Sequence, residues 1–287
     1  MDFGILYPQT EYGSDPGAIR EFAQTAEELG FSHILTYEHV LGVDPNRPGW
    51  KGIYSFEDPF HEPFSLFSFM AAVTKQISFL TSIVILPQRQ TVLAAKQAAT
   101  LDVLSEGRLR LGVGIGWNEP EYIALGEDFH NRGRRVEEQV ELMRALWTEP
   151  VVNFSGQWNT VEDSGINPLP IQQPIPIWFG GHADPVIRRA ARLGDGWIPN
   201  YPTAEEARPH FDILEQHLEQ AGRTIGEFGI EVRVHYREGD PDRIGGLIQD
   251  WQEGGATHIG LSTLRSRLNG PSDHLNAMRS FAESHLS

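Results

Sequence analysis

Short apolar runs alternate with amphipathic segments from one end of the chain to the other. The first run, residues 3–6, has the length and composition of a buried strand. A helical pattern follows, in which Asp15 is the expected N-cap, Pro16 the first helical residue and Gly30 the stop signal. The apolar positions of this helix are Ile19, Phe22, Ala23, Ala26 and Leu29. A strand followed by a helix is therefore the repeating unit that the pattern predicts.

Eight apolar runs predict eight strands. They are residues 3–6, 32–36, 77–86, 109–113, 176–179, 196–199, 230–234 and 258–261. Three further helices show apolar stripes of the kind that packs on a core: Val136, Val140, Met143 and Trp147; Ile244, Leu247, Ile248 and Trp251; and Leu275, Met278 and Ala282. Open doubly wound sheets usually have five or six strands, so eight βα units favour a closed α/β (β/α)8 TIM barrel. We expect one domain over residues 1–287.

Two connections are too long for simple turns. Residues 38–62 follow the second predicted strand, so in a barrel they belong to the C-terminal face, where βα loops build active sites. Residues 149–174 contain a segment, 153–158, that predicts a small hairpin with its turn at Ser155 and Gly156. Long loops of this kind are often functional.

Composition excludes several classes of function. The formal net charge of −16 argues against a nucleic-acid partner, which needs a positive surface. With no cysteine, thiolate catalysis and zinc–thiolate sites are excluded, and we predict no metal, since the zinc-helix motif is absent too. The first residues lack the pattern of a signal peptide, and no apolar stretch approaches the ~20 residues of a membrane span. We therefore expect a cytoplasmic protein without a membrane partner.

Two glycine-rich segments end predicted strands. Gly112, Gly114 and Gly116 resemble part of a dinucleotide fingerprint, but they end the fourth strand and lack its acidic residue, so close approach of a flat ring or of backbone is the better interpretation. Gly180 and Gly181, with His182, precede a helix that begins at Asp184 and Pro185. Such a helix start attracts phosphate, although an ordinary tight turn is the alternative, and barrels usually bind phosphate after strands seven and eight rather than five.

Titratable residues cluster after the second and fourth strands. Glu38 and His39 stand at the predicted mouth, where a histidine suits proton transfer; a solvated or structural histidine is the alternative. His61 and Glu62 are the next candidates. After the fourth strand come Trp117, Asn118 and Glu119, where the amide and the carboxylate either face a cofactor or cap a surface helix.

Three stretches carry a resemblance to a known family. They are residues 101–117, residues 80–87, and residues 178–182 together with 191–198. They resemble the bacterial-luciferase-like superfamily, in particular its deazaflavin (coenzyme F-420)-dependent oxidoreductase branch. The resemblance implies a cofactor ring across the C-terminal mouth, a homodimer, and a non-proline cis peptide between Ser82 and Ile83. The implied catalytic residues are Glu38 and His39, and the implied cofactor-binding residues are Ser82, Ile83, Gly116, Trp117, Asn118, Gly180, Gly181 and His182.

The sequence also departs from this family. Residues 88–91 are Gln-Arg-Gln-Thr where relatives commonly have Arg-His-Pro, and residues 199–202 have no lysine for a cofactor phosphate. Three hypotheses follow. In the first, a small substrate exchanges hydride with coenzyme F-420 while His39, oriented by Glu38, exchanges a proton, and Trp50, Phe56 and Phe60 close the pocket. The second is an FMN-dependent monooxygenase, and the third is a flavin-binding barrel without catalysis.

Overall fold

The computed structural model describes residues 1–237 and 239–286. The strands are β1 Asp2–Leu6, β2 His33–Thr36, β3 Ser78–Thr81, β4 Val84–Ile85, β5 Leu109–Gly114, β6 Val152–Ser155, β7 Thr160–Ser164, β8 Ile177–Gly180, β9 Gly196–Ile198, β10 Gly229–His235 and β11 His258–Ser262. The α-helices are α1 Gln9–Tyr12, α2 Pro16–Glu28, α3 Pro63–Ala71, α4 Thr91–Leu104, α5 Glu119–Leu125, α6 Arg132–Thr148, α7 Asp184–Leu193, α8 Ala204–Gln220, α9 Pro241–Glu253 and α10 Pro271–His285.

Parallel strands close into an eight-stranded barrel. The order is β3-β2-β1-β11-β10-β9-β8-β5, and a further pairing of β3 with β5 closes the ring. The short strand β4 also pairs with β5, so β3 and β4 together occupy one strand position of the barrel. The predicted (β/α)8 TIM barrel is therefore confirmed. The third predicted strand, residues 77–86, is interrupted at residues 82 and 83 and ends at residue 85.

Helix α2 forms for the reasons that its sequence gives. The Asp15 carboxylate accepts a hydrogen bond from the Ala18 amide at 2.8 Å, and Pro16 occupies the first turn. The apolar stripe of the helix is buried, with Phe22 fully enclosed. Helix α6 likewise buries the stripe that ends at Trp147, whose indole nitrogen donates to the Ala95 carbonyl at 3.0 Å. None of the helices in the described ranges has the length and apolar character that crossing a bilayer requires.

The hairpin formed by β6 and β7 lies outside the barrel and is confirmed as a small antiparallel insertion. Its turn was predicted at Ser155 and Gly156, but the chain reverses over residues 156–159. The Glu138 carboxylate explains the shift, because it accepts hydrogen bonds from the amides of Gln157, Trp158 and Asn159 at 2.6, 2.9 and 2.8 Å. Three amides held by one carboxylate place the centre of the turn beside α6.

A small group of polar and charged side chains lies inside the barrel below its mouth. Glu231 on β10 and His33 on β2 are fully buried, and their side chains approach to 2.9 Å. Arg110 stacks on the Trp178 ring at 4.9 Å, close enough to Glu231 to interact with its charge. Burial and this arginine lower the pKa of His258 to about 4. Glu231 is therefore the carboxylate that balances a buried cation beside two histidines.

Candidate active site

A cleft of about 530 Å³ opens where the carboxyl ends of the barrel strands converge. Its walls come from the ends of all eight barrel strands or from the segments that follow them. Its volume lies within the roughly 300–1,000 Å³ typical of sites for small organic ligands and cofactors. In a barrel this mouth is the face where the βα loops assemble catalytic groups. The cleft contains His39 and all eight residues predicted to bind a cofactor.

His39 lies on the cleft wall with only 12% of its side chain exposed. Its Nδ1 atom is 3.0 Å from the Glu121 carboxylate. Three aromatic rings surround the imidazole: Phe60 at 4.9 Å, Tyr54 at 5.2 Å and Trp117 at 5.6 Å between ring centroids. Because a carboxylate accepts the proton on Nδ1, the neutral ring presents Nε2 as an acceptor. No hydrogen bond from the described residues reaches Nε2.

Glu121, in the first turn of α5, holds both His39 and the start of the long loop. Besides His39, its Oε1 atom accepts hydrogen bonds from the amides of Val40 and Leu41 at 3.1 and 3.3 Å, and Gln88 donates to Oε2 at 3.2 Å. Burial alone would raise the pKa of Glu121, but the hydrogen bonds from His39, Gln88 and Leu41 lower it on balance. The side chain therefore stays a carboxylate at neutral pH.

Glu38 does not pair with His39, and this part of the prediction is wrong. Its carboxylate accepts a hydrogen bond from the Ile85 amide at 2.5 Å and binds Arg89, which also donates to Glu62 at 2.9 Å. Burial raises the pKa of Glu38, and Arg89 and the Ile85 amide oppose that rise. Consecutive side chains of an extended segment point to opposite sides, so neighbours such as these rarely bind each other. Glu121 takes the orienting position that was predicted for Glu38.

The predicted non-proline cis peptide between Ser82 and Ile83 is present, and the glycines of β5 and β8 accommodate it. A Cβ atom at Gly114 would come within 1.8 Å of the Ile83 side chain, and one at Gly180 within 2.6 Å. A Cβ at Gly112 would meet the Thr81 carbonyl oxygen at 1.7 Å. Gly112 and Gly114 therefore allow close packing of the neighbouring segment at Thr81 and Ile83, and they do not indicate a dinucleotide phosphate site.

Gly114→Ala is expected to disturb the cleft through this contact. The added methyl group displaces Ile83 from the cleft wall, and overpacking of this kind typically costs about 1–3 kcal/mol of stability. Ligand affinity in the cleft should fall as well. Gly226→Ala is the matched control, because a Cβ there meets no atom within 4 Å. Urea denaturation of both variants measures the difference, and equal midpoints would contradict the contact.

Buried polar atoms without partners face the same cleft. They are Ser82 Oγ, Asn118 Oδ1 and Ser262 Oγ, none of which has a hydrogen-bond partner among the described residues. Asn118 occupies the N-cap position of α5 yet makes no capping bond, so the surface-cap alternative does not apply to it. Buried polar groups are nearly always paired in a complete site. The apolar part of the wall comes from Ile83, Ile85, Ile198 and Leu264. This combination suits a flat ring with an apolar body and polar edges.

Gly180, Gly181 and His182 form a tight turn that leads into α7. The Gly181 amide is used within the turn, since it donates to the Ile198 carbonyl at 3.2 Å. The amides of His182 and Ala183 meet no acceptor in the described part of the chain. Asp184, the acidic group of this first turn, lies 3.2 Å from His217. The start of α7 thus keeps amides that can bind a phosphate.

The second histidine candidate lies away from the cleft. His61 packs beside Tyr7 at 6.5 Å between ring centroids, and burial lowers its pKa. Glu62 caps α3 through the Ser65 amide at 2.8 Å in addition to its bond with Arg89. Both residues therefore stabilise the end of the long loop.

The aromatic residues predicted to close the cleft divide into two groups. Phe60 contacts His39 as described, and Trp50 packs on Trp117 at 5.5 Å between ring centroids. None of these three aromatic residues lines the cleft itself, and Phe56 is 63% exposed, so the predicted closing role of Phe56 has no support from the structure. Glu119 borders a neighbouring hollow instead of the cleft. Phe56, in the long loop, and Glu119, at the start of α5, are both exposed.

Two arginines of the cleft wall, Arg233 and Arg265, were not among the sequence candidates. Arg233 carried a signal, because Glu231, Arg233 and His235 alternate along β10 and so share the face that lines the barrel interior. Arg265 follows β11 in a segment without a recognisable motif. Metal binding has no support from the geometry: in residues 1–237 and 239–286 no group of three or more histidine, aspartate or glutamate side chains could hold an ion.

Comparison with known proteins agrees with this architecture. The family profile described as luciferase-like monooxygenase matches residues 1–258. The chain belongs to this family of oxidoreductases and monooxygenases. A protein of Mycobacterium tuberculosis (strain ATCC 25618 / H37Rv) that has no assigned activity is 38% identical over 209 residues, which cover 70% of this chain and 72% of that relative.

Two further matches show the range of the family. The F420-dependent glucose-6-phosphate dehydrogenase of Kineococcus radiotolerans is 29% identical over 239 residues, 79% of this chain and 66% of that enzyme. The crystal structure of monooxygenase RslO1 from Streptomyces bottropensis superposes with a TM-score of 0.83 at 23% identity, over 100% of this chain and 99% of that one. The family thus contains both F420-dependent enzymes and monooxygenases.

Proposed function

We propose that this protein is an oxidoreductase that transfers hydride between coenzyme F-420 and a small organic substrate, with His39 as the proton donor and acceptor. The observation that carries the proposal is the His39–Glu121 pair, which sits on the cleft wall with Nε2 unbonded among the described residues. A hydride transfer to or from a carbonyl or hydroxyl needs a proton partner at the substrate oxygen. An F420-dependent relative supports the choice of cofactor.

The cleft residues fit such a cofactor. Ser82 and Asn118 offer unpartnered polar atoms to the edge of a ring, while Ile83 offers an apolar surface to its body. The amides of His182 and Ala183, which have no acceptor among the described residues, would hold a phosphate. When bound, the deazaflavin ring supplies the carbon that accepts or gives the hydride.

His39 and Glu121 would perform the proton step. Nε2 takes the proton of a substrate hydroxyl, or returns one to a carbonyl, and the Glu121 carboxylate stabilises the imidazolium that forms. Phe60 and Trp117, on which Trp50 packs, flank this group and leave only 12% of the His39 side chain exposed to water. Exclusion of water strengthens the interaction between the imidazolium and the carboxylate.

An FMN-dependent monooxygenase is the second candidate, because the structural relative RslO1 is a monooxygenase and the same cleft would hold a flavin. Fluorescence titration of the purified protein with coenzyme F-420 and with FMN separates the two. We expect a saturating response to F-420 and a weak one to FMN, with riboflavin, which lacks the phosphate, as the control. Saturation by FMN alone would replace the proposal by the monooxygenase.

The third hypothesis, a flavin-binding barrel without catalysis, would be supported by tight cofactor binding without turnover of any donor or acceptor. The predicted partners remain proposals: a small-molecule substrate and a second copy of the chain, without nucleic acid or membrane. Light scattering on the eluting protein measures the oligomeric state directly.

A further inference from the structure

Two cationic side chains on the cleft wall have no carboxylate partner in the part of the chain that the structure describes. Arg233, from β10, stacks on the Tyr37 ring at 5.4 Å and donates to the Asn200 side chain. Arg265, which follows β11, stacks on the Tyr54 ring at 5.7 Å. No carboxylate of the described residues forms an ion pair with either guanidinium. In a chain with a net charge of −16, acidic partners are plentiful, so the lack of one on both arginines is informative.

Two carboxylates close to this part of the cleft, Glu11 and Asp58, bind other groups. Glu11 accepts a hydrogen bond from the main-chain amide of Arg265 at 2.9 Å, and its other oxygen lies 3.7 Å from His274. Asp58 binds the Ser55 amide at 2.6 Å. These carboxylates therefore leave the two guanidinium groups available to a ligand.

A third group shows that the positive charges converge. His235 lies on the same wall, two residues beyond Arg233 on β10. Its pKa is lowered by burial and by the positive charges of Arg233 and Arg265. The two guanidinium groups therefore act on one region of the cleft. Two unneutralised cations and a histidine in one region form a site suited to an anion.

We propose that Arg233 and Arg265 bind an anionic group, a carboxylate or a phosphate, of the substrate. The assignment to a substrate rests on the function proposed above. Tyr54 links the site to the chemistry, because its ring lies 5.7 Å from the Arg265 guanidinium and 5.2 Å from the His39 ring. An anion on Arg265 thus lies within the length of a small molecule from the proton-transfer group. The substrate class is a small acid or phosphate ester that carries a hydroxyl or carbonyl group.

The cofactor phosphate is the other possible source of an anion in this cleft. Its expected place is the start of α7, where the amides of His182 and Ala183 have no acceptor among residues 1–237 and 239–286. Arg265 lies instead beside Tyr54, on the side of His39. Arg233 contacts Asn200, in the segment where the sequence lacks the lysine found in some F420-dependent enzymes. The experiment must therefore separate the two sources.

Inorganic phosphate tests the site. The imidazole resonances of His235 are followed by NMR during titration with phosphate, in the protein alone and in the protein saturated with coenzyme F-420. We expect saturable binding in both forms and a rise in the pKa of His235 when the anion binds. Arg265→Gln should weaken binding by about tenfold or more, because glutamine cannot form the charge-assisted hydrogen bond that the guanidinium gives to an anion. Arg233→Gln should act in the same direction.

Arg267→Gln is the matched control, because it removes the same charge from an exposed side chain that does not line the cleft. Wild-type phosphate affinity in Arg265→Gln would overturn the proposal. So would blocking of phosphate by F-420 together with a matching loss of F-420 affinity in Arg265→Gln, since the arginines would then hold the cofactor. Phosphate binding with no F-420 binding leaves the anion site intact and overturns only the choice of cofactor.

Discussion

His39→Ala should lower the rate of hydride transfer by roughly 10²–10⁴-fold, the range that general acid–base groups contribute. Alanine removes the cleft group that can exchange a proton with the substrate oxygen through Nε2 and leaves Glu121 with its two main-chain partners, Val40 and Leu41. The loop therefore keeps its anchor. Cofactor affinity should change little, because the proposed ring contacts come from other segments of the wall.

Stopped-flow absorbance of the cofactor in a single turnover measures this rate, and fluorescence titration measures cofactor affinity in the same variant. His130→Ala, an exposed histidine outside the cleft, is the control. Free imidazole should restore part of the lost rate by entering the space among Tyr54, Phe60 and Trp117. An unchanged rate with the true substrate would remove His39 from the mechanism.

Glu231→Gln should lower the free energy of unfolding by about 3–5 kcal/mol, the usual cost of leaving a buried charge uncompensated. Glu231 and His33 are fully buried and 2.9 Å apart. Burial alone would raise the pKa of Glu231, but His33 and Arg110 lower it on balance, so the native barrel contains the ionised carboxylate. Glutamine keeps the size of the side chain and leaves the Arg110 charge without compensation.

Urea denaturation followed by tryptophan fluorescence and far-ultraviolet circular dichroism measures this loss, and agreement of the two signals establishes a two-state transition. Glu219→Gln changes the same charge on the exposed surface of α8 and should stay within roughly 0.5 kcal/mol of the wild type. A loss below about 1 kcal/mol in Glu231→Gln would show that the interior charges are not coupled as described.

Much of the fold could be predicted from local pattern. The strand at residues 109–113 is one residue short of β5, and Asp15 and Pro16 begin α2 as their chemistry requires. The interruption of the third predicted strand at Ser82 and Ile83 is not visible in the apolar pattern, which runs through to residue 86. The resemblance to the luciferase-like family indicated it instead, through the expected cis peptide between Ser82 and Ile83. Periodicity indicates only which residues are buried. Ser82 is buried and Ile83 half-buried, so neither residue stands out from the apolar run around it.

The candidate site was predicted in part. His39 and the proposed cofactor contacts meet in one cleft, but the pairing with Glu38 was wrong. The partner, Glu121, is 82 positions away along the chain. Its sequence context is that of an acidic residue in the first turn of a helix, which is a common surface position. Nothing local distinguishes it from Glu119, which lies two residues earlier and borders another hollow.

The sequence by itself determined the alternation of strands and helices, the barrel and the mouth at which chemistry should occur. Buried positions recur with the period of a strand or of a helix, and this period is visible within each short segment of the chain. The tertiary structure alone decided that Glu121 holds His39 and that Glu38 binds Arg89. It also brings Arg233 and Arg265 to one cleft with no acidic partner among the described residues. Hydrogen bonds and charge interactions depend on separations of a few ångströms between segments far apart in the chain. Closure of the barrel sets those separations.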